Sequence, residues 1–339
     1  MPAQIVYNRF NLNEVGIEIY NNKSHIIENL IERSHENGIK ITGNDRSQMC
    51  TAKVWKNQIT SCGYNGIVIQ GEQCNPDVRG NIITQNRKAG IKLTEKAVAH
   101  IGGTEKADIK FIPTGTREKA TNSTFLTAKK EAMKVSSHTQ NGFGGENGVS
   151  AASFAQSNAF HRLDEGVLGP HIPGQDPSPG NRFREPRLSK EEYDYATIST
   201  SAAYKVKSFP NANVISQNYN QGILIVEGSS AEVISNKIEH NIKANIALGG
   251  QETGKTRIMF NYILSSKSGE GVFVVEGEHD LLIEDNQIEC NHDGVVLVNS
   301  DGKVRNNNVR QNTRSGILAA GRTNASVIGN FIEESNTGV

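Results

Sequence analysis

The sequence has few aromatic side chains, no excess of charge of either sign and no long apolar run. Aromatic residues make up 6% of the chain, which is little for a core that relies on large rings. Lys plus Arg and Asp plus Glu both number 36, so no basic surface for nucleic acid is expected. Without a run of about 18 apolar residues, no membrane-spanning helix is expected either, and no secretory signal is visible.

Cysteine is also scarce, with four residues that lack the spacing of a metal site. This usage favours a reducing compartment and therefore a cytoplasmic protein. The histidines are scattered, and the glycine-rich segment 249–256 has the wrong spacing for a phosphate loop. We therefore expect no metal and no cofactor, and a small-molecule ligand is not favoured.

What the chain does have is an internal repeat with one asparagine in each unit. The spacing within each of two blocks lies between 21 and 28 residues, too short for the usual helical repeats. These reference asparagines are Asn8, Asn29, Asn57, Asn81, Asn213, Asn236, Asn261, Asn286, Asn307 and Asn330.

Apolar columns flank the reference asparagine three residues before it and two residues after it. Around Asn57, for example, Val54 is the apolar residue before the asparagine and Ile59 is the one after it. The first column has one exception, Pro210, which stands three residues before Asn213. Two columns five residues apart both point inward only if the chain bends between them, and we assign that bend to the asparagine. A later glycine opens an alternating strand, as at Gly38–Ile41. The pattern predicts an all-β, right-handed parallel β-helix of about ten coils whose asparagines form hydrogen-bonded ladders.

Three segments carry a resemblance to known repeat proteins: Cys-Asn-Pro-Asp-Val-Arg-Gly-Asn at 74–81, Asn-Arg-Lys-Ala-Gly-Ile-Lys-Leu at 86–93 and Gln-Asn-Tyr-Asn-Gln-Gly-Ile-Leu-Ile-Val-Glu-Gly at 217–228. They resemble the right-handed parallel β-helix repeats shared by carbohydrate-active enzymes and non-enzymatic eukaryotic proteins. They are most similar to the β-helix region of F-box-only-type proteins. No F-box precedes the repeats, so the resemblance implies the fold and not a ubiquitin-ligase role.

A long segment interrupts the period and divides the chain. We assign coils 1–4 to residues 1–100, an irregular insertion to 101–209 and coils 5–10 to 210–339. Seven of the nine prolines fall between Pro113 and Pro210, which is typical of a loop-rich segment. Short helices are expected near Thr127–Lys134 and from Ser189.

A catalytic site in such a fold would need charged side chains on the outer face of neighbouring coils. Hydrolysis requires two carboxylates about 5–9 Å apart. The outward positions of the strand after the glycine contain no such pair, and the acidic residues Glu276, Glu278 and Asp280 fit a solvated turn. These positions therefore predict no catalytic residues and no enzyme.

The outward positions in the second block are apolar instead of alternating. Continuous apolar strands are typically buried on both faces, so this flank should be covered by the insertion or by a partner protein. We call it the apolar stripe, and it consists of Leu224, Val226, Ala247, Phe273, Val275, Val296, Val298 and Leu318.

The function expected from these features is a non-catalytic scaffold in a larger protein assembly, cytoskeletal or ciliary among the options. Its partners would be other proteins, bound through the stripe, the insertion or the last coil, which ends at Val339 without a polar cap. The alternative is a carbohydrate-active β-helix enzyme or a carbohydrate-binding protein, which should show a carboxylate cluster on an outer face.

Overall fold

The computed structural model describes residues 2–103, 211–250, 255–277 and 280–339. Over these ranges the chain is a parallel β-solenoid of about nine turns, as the repeat predicts. The helices expected near Thr127–Lys134 and from Ser189 lie outside the described residues. The described ranges contain no helix that is long and apolar enough to cross a membrane.

Each complete turn contributes one strand to each of three parallel sheets. Sheet A holds β1 (Gln4–Val6), β4 (His25–Ile27), β7 (Lys53–Trp55), β10 (Asp77–Arg79), β13 (Val98–Gly102), β16 (Ser230–Ile234), β19 (Thr256–Met259), β22 (Leu281–Glu284), β25 (Gly302–Arg305) and β28 (Ala325–Ile328). Sheet B holds β2 (Arg9–Asn11), β5 (Leu30–Glu32), β8 (Gln58–Thr60), β11 (Ile82–Thr84), β14 (Val214–Ser216), β17 (Lys237–Glu239), β20 (Tyr262–Leu264), β23 (Gln287–Glu289), β26 (Asn308–Arg310) and β29 (Phe331–Glu333). Sheet C holds β3 (Ile17–Tyr20), β6 (Ile39–Thr42), β9 (Ile67–Gln70), β12 (Ile91–Thr94), β15 (Ile223–Ile225), β18 (Ile246–Gly249), β21 (Val272–Gly277), β24 (Asp293–Ser300) and β27 (Ser315–Ala320).

The core is a narrow column of aliphatic side chains between the three sheets. The two columns that flank the reference asparagine lie on sheets A and B, and both point inward. Val54 and Ile59 of one coil are fully buried, and so are their equivalents Val78 and Ile83 in the next. Burying each such side chain stabilises the fold by about 1.5–3 kcal/mol. The core is therefore built from Val and Ile side chains that repeat along the solenoid axis.

The bend between sheets A and B is made by the residue before the reference asparagine, so our assignment of the bend to the asparagine is wrong. Glu28, Lys56 and Ser235 all have φ of 55° and precede Asn29, Asn57 and Asn236. The Lys56 side chain at this position is exposed and that of Glu28 is half-buried, whereas Ser235 is buried, so the position accepts different residue types.

The asparagines are instead selected for hydrogen bonding, and the expected ladder is confirmed. Asn81 Nδ2 donates to Val54 O at 2.8 Å and to Asn213 Oδ1 at 2.9 Å. Its own Oδ1 accepts from the backbone N of Asn57 at 2.8 Å. The side-chain amide thus satisfies buried backbone groups that the bend removes from the sheets.

The insertion falls inside a two-residue turn. Gly103 N donates to Ile234 O at 2.9 Å, as Lys56 N at the equivalent turn position donates to Arg79 O at 2.8 Å. Asn213 stands in the asparagine ladder between Asn81 and Asn236. On the side of the preceding coil, Asn211 O accepts from Gly80 N at 3.1 Å. The chain therefore leaves the solenoid after Gly103 and returns to it at Asn211 within one turn.

The strand before the insertion completes the interrupted coil. In β13, Ile101 is fully buried and pairs with Val78 on one side and Val233 on the other. Ile101 thus fills the inward place that the repeat assigned to Pro210, which lies outside the described residues. Sheet A consequently runs without a break from the first block into the second.

Candidate active site

The outer face of sheet A carries five charged or titratable side chains in register on five consecutive strands. Lys53, Asp77, His100, Glu232 and Arg257 are successive partners from β7 through β19. Each alternates with an inward aliphatic residue, so their side chains all point away from the core. Lys53, Asp77 and His100 are half-buried, whereas Glu232 and Arg257 are exposed. We call these five residues the sheet A row.

The Asp77 carboxyl group is oriented by a neighbouring guanidinium. Arg79 Nε lies 2.5 Å from Asp77 Oδ1, and the Arg79 guanidinium carbon lies 5.7 Å from the centroid of the Trp55 ring. Lys53 Nζ is 4.8 Å from the same centroid. Stacking on the indole restrains both cations. Asp77 is therefore an oriented carboxylate that can accept a proton.

His100 and Glu232 are neighbours across the strand pair β13–β16. His100 Nε2 lies 3.2 Å from Gly102 O and 3.0 Å from Gly103 O, and carbonyl oxygens only accept, so Nε2 is the donor in these contacts. His100 Nδ1 is 3.3 Å from Glu232 Oε2. The imidazole therefore links an exposed carboxyl group to the backbone of the strand end.

The two carboxylates of the row are separated by the strand that carries His100. At about 4.8 Å per strand, the backbones of Asp77 and Glu232 lie about 9.6 Å apart. Two carboxyl groups on alternate strands of one face can lie on opposite sides of a bound sugar unit, as inverting hydrolysis requires. The Asp77 carboxyl group contacts a guanidinium and the Glu232 carboxyl group contacts an imidazole, so their surroundings differ.

Sequence reasoning missed the sheet A row because it considered only the outward positions of sheet C. The signal lies four residues before the reference asparagine, where Lys53, Asp77, Glu232 and Arg257 stand. In the interrupted coil that position is filled by His100, which has no nearby reference asparagine. From the sequence alone, the charged position four residues before the asparagine is therefore missing in the interrupted coil. Only the pairing of β13 with its neighbours shows that His100 fills it.

The apolar stripe lies on the outer face of sheet C. Leu224, Ala247, Phe273, Val296 and Leu318 are successive partners in register. They form one apolar cluster, which also includes Val226, Val275 and Val298. Ala247 is fully buried and Phe273 is only 8% exposed, although both point away from the core. The stripe contains no group that could take part in acid–base chemistry.

A second polar cluster, on sheet B, is much less accessible. Glu239 is 5% exposed; its Oε1 lies 2.7 Å from Lys237 Nζ, and its Oε2 lies 3.6 Å from His240 Nδ1. Burial lowers the pKa of His240, more than Glu239 raises it. A carboxylate that is enclosed in this way is not accessible to a polymeric substrate. We therefore place the candidate site on sheet A.

The turn of Glu276 offers no metal site among the residues that the structure describes. Asp280 lies 3.8 Å from Lys255 Nζ in an exposed ion pair, and Glu278 lies outside the described residues. Three or more potential ligands do not converge anywhere in the described ranges.

Comparison with known proteins gives one family and several structural neighbours. Residues 194–334 match the family model described as right handed beta helix region. The A-module of mannuronan C-5 epimerase from Azotobacter vinelandii is 10% identical, with a TM-score of 0.52, over 98% of this chain and 78% of that one. The enzymatically active domain of tailspike protein 2 of bacteriophage CBA120 is 8% identical, with a TM-score of 0.50, over 97% of this chain and 38% of that one. No curated protein sequence matches significantly.

These neighbours overturn two predictions made from the sequence. The non-catalytic scaffold and the absence of enzymatic activity are contradicted, because the similar structures are enzymes by their names, and the carbohydrate-active alternative is favoured. The cytoskeletal setting and the role as a complex subunit have no support. Nothing links the chain to F-box-only-type proteins, but the right-handed β-helix repeat family expected from the sequence is confirmed by the match over residues 194–334.

Proposed function

We propose that the chain is a carbohydrate-active enzyme whose active site is the sheet A row. The observation that carries the proposal is the register of Asp77, His100 and Glu232 on adjacent strands of an open outer face. A carboxylate cluster on an outer face is the feature that the sequence analysis expects of an enzyme and not of a scaffold. The likeness in fold to a polysaccharide epimerase is consistent with this assignment.

The reaction that fits the row best is hydrolysis of a glycosidic bond with inversion. Glu232, which lies beside His100 Nδ1, acts as the general acid on the leaving oxygen. Asp77, ion-paired with Arg79, acts as the general base on water. His100 is a positioning residue that supplies the proton to Glu232, and the carbonyls of Gly102 and Gly103 fix its tautomer.

The expected substrate is an acidic polysaccharide. Lys53 and Arg257 flank the two carboxylates, one on each side along the solenoid axis. Arg257 is exposed and can pair with a carboxylate or sulfate of a sugar unit. Such contacts to units beside the scissile bond place that bond over His100 and contribute to orientation.

The experiment is a turnover screen of the full chain against neutral, uronate-containing and sulfated polysaccharides. It follows released reducing ends, unsaturated products and, by NMR, changes in sugar configuration. The Glu232→Gln variant should lose about 10²–10⁴-fold in rate, because a general acid contributes about that much. Glu18→Gln is the matched control, since Glu18 is an exposed carboxylate that pairs with Lys40 on sheet C.

Three outcomes would contradict the proposal. Wild-type protein that neither binds nor turns over any polymer removes the carbohydrate function. Binding without turnover reduces the function to that of a carbohydrate-binding protein. Turnover that Glu232→Gln and Asp77→Asn leave intact places the chemistry elsewhere on the molecule.

A further inference from the structure

Two buried thiols lie side by side at the edge of the proposed site. Cys50 and Cys74 are direct partners in an isolated parallel bridge between neighbouring coils. Both are fully buried and both are free thiols. Parallel neighbours stand about 4.8 Å apart at Cα, within the range of about 4.4–6.8 Å that a disulfide spans.

The contact between the two thiols favours the thiolate form of one of them. A hydrogen bond from the Cys74 side chain lowers the pKa of Cys50 to about 7, against the opposing effect of burial. The interaction with Cys50, together with burial, raises the pKa of Cys74. Cys50 Sγ also donates to Asn22 O at 3.2 Å when protonated. Cys50 is thus the nucleophile, and Cys74 is the resolving thiol beside it.

We propose that Cys50 and Cys74 form a reversible disulfide that controls the sheet A row. The oxidant is of the peroxide class. The Cys50 thiolate attacks one peroxide oxygen and releases hydroxide, which gives a sulfenic acid. Cys74 sulfur then attacks Cys50 sulfur and water leaves, so that two thiols are oxidised and one peroxide is reduced to two waters. A dithiol reductant reverses the step.

The pair is placed to restrain residues of the proposed active site. Cys50 and Cys74 lie three residues before Lys53 and Asp77, in the segments that lead into the neighbouring strands β7 and β10. A disulfide holds the two Cβ atoms at about 3.8 Å, a constraint that the free thiols do not impose. The link therefore restrains the Asp77 carboxylate relative to Lys53. This consequence rests on the proposed function, whereas formation of the disulfide does not.

Oxidant reaches the pair through the exposed turn that precedes Cys50. Residues 44–49 are all exposed, and Met49 is 44% exposed. Local opening of this turn uncovers Cys50 without unfolding a coil. The rate of oxidation should therefore rise with pH through about 7, as the Cys50 thiolate forms.

The test treats the reduced full chain with hydrogen peroxide and maps its disulfides by mass spectrometry. The expected result is a Cys50–Cys74 link, reversed by dithiothreitol, and the loss of two of the four free thiols. Trp55, the one tryptophan of the chain, stacks between Lys53 and Arg79 and reports on the site independently of activity. Its fluorescence should change on oxidation and return on reduction.

Two variants complete the design. Cys50→Ser should abolish both the link and the fluorescence change. Cys62→Ser is the matched control and should keep both, because burial raises the pKa of Cys62 to about 11 and makes it unreactive. Oxidation that stops at a sulfinic acid, or that links other cysteines, overturns the proposed disulfide. A correct link that leaves Trp55 fluorescence unchanged overturns its control of the site. Loss of polysaccharide turnover in the reduced protein concerns only the proposed function.

Discussion

At the scale of single residues, buried polar groups are tolerated because each has a fixed partner. The reference asparagines are buried in every interior coil, yet their amides replace backbone partners lost at the bend. Asp293 is likewise enclosed, with Arg314 Nε at 2.9 Å and the backbone N of Ser315 at 3.0 Å. Removing one partner leaves the other unsatisfied, so such residues should be sensitive to substitution.

Asn81→Ala should destabilise the protein by about 3 kcal/mol, because it removes the hydrogen-bond partners of Val54 O and of the backbone N of Asn57. Asn330→Ala is the matched control, since Asn330 ends the ladder and is only partly buried. Its cost should be about 1 kcal/mol. Urea unfolding followed by circular dichroism measures both. Equal costs would mean that the ladder is not the source of the stability.

Asp293 should make stability depend on pH in the acid range. Burial raises the pKa of this carboxyl, but the hydrogen bond and charge of Arg314, together with Ser315 and His292, outweigh burial and hold it below the ordinary value. The stabilisation is therefore complete above the unfolded pKa of about 4 and is lost as pH falls through the lower folded value. The test compares the free energy of unfolding of wild type and Asp293→Asn, measured in urea at several pH values around and below 4. A difference that stays constant with pH would refute the linkage.

At the scale of elements, the glycine near the start of every sheet C strand except β18, where Asn245 replaces it, allows neighbouring coils to approach closely. A Cβ on Gly66 would lie 2.5 Å from Ile83 Cγ2 and 2.6 Å from Gly90 O. Gly38 and Gly90 have equivalent close contacts. The glycine column is therefore a packing requirement, because the carbonyl of one coil faces the Cα of the preceding coil.

Gly66→Ala should cost about 1–3 kcal/mol, since the surrounding backbone cannot move away without breaking the ladder of coils. Gly338→Ala is the control, because no atom lies within 4 Å of the added methyl group there. Thermal unfolding of the two variants beside wild type provides the measurement. A Gly66→Ala variant as stable as wild type would show that the sheets adjust more than the contacts suggest.

Most strands could be predicted from the sequence, because asparagine, glycine and aliphatic residues recur at the same positions of each coil. The inward columns and the ladder follow from Asn81, Val54 and their equivalents. The left-handed turn residue could not be predicted, because Glu28, Lys56 and Ser235 share no side-chain character. The candidate site was also hidden, since His100 joins the sheet A row only through strand pairing across residues 104–212.

At the scale of the whole molecule, the proposed site is assembled across the interruption. Asp77 and His100 belong to the part of the chain before residues 104–212, and Glu232 belongs to the part after them. The carbonyls that fix His100 come from Gly102 and Gly103, at the point where the chain leaves the solenoid. Neither repeat block alone contains both carboxylates.

Deleting residues 104–212 should leave the solenoid folded, because Gly103 and Asn213 would then be joined as Gly80 and Asn81 are. Circular dichroism should retain its β-sheet signal, and urea unfolding should remain one cooperative transition. Loss of the β-sheet signal or of cooperative unfolding would mean that residues 104–212 are needed for folding. A control deletion of 104–213 removes the ladder asparagine as well and should be clearly less stable.

The same deletion variant addresses the apolar stripe. If residues 104–212 cover the stripe, the variant should bind a hydrophobic dye that wild type does not bind, and Phe273→Glu in that background should reduce the binding. If a partner protein covers it, wild type should already bind the dye. A variant that binds no dye, like wild type, would show that the stripe is enclosed by the described coils themselves.

The asparagine ladder also has a polarity. From Asn8 to Asn307 every side-chain amide donates to the asparagine oxygen of the following coil. These amide-to-amide hydrogen bonds therefore all run in one direction along the rod, as peptide hydrogen bonds do in a helix. The first asparagine of the ladder only donates to another asparagine and the last one only accepts from another, so the two ends of the solenoid are chemically different surfaces even where their sequences are alike.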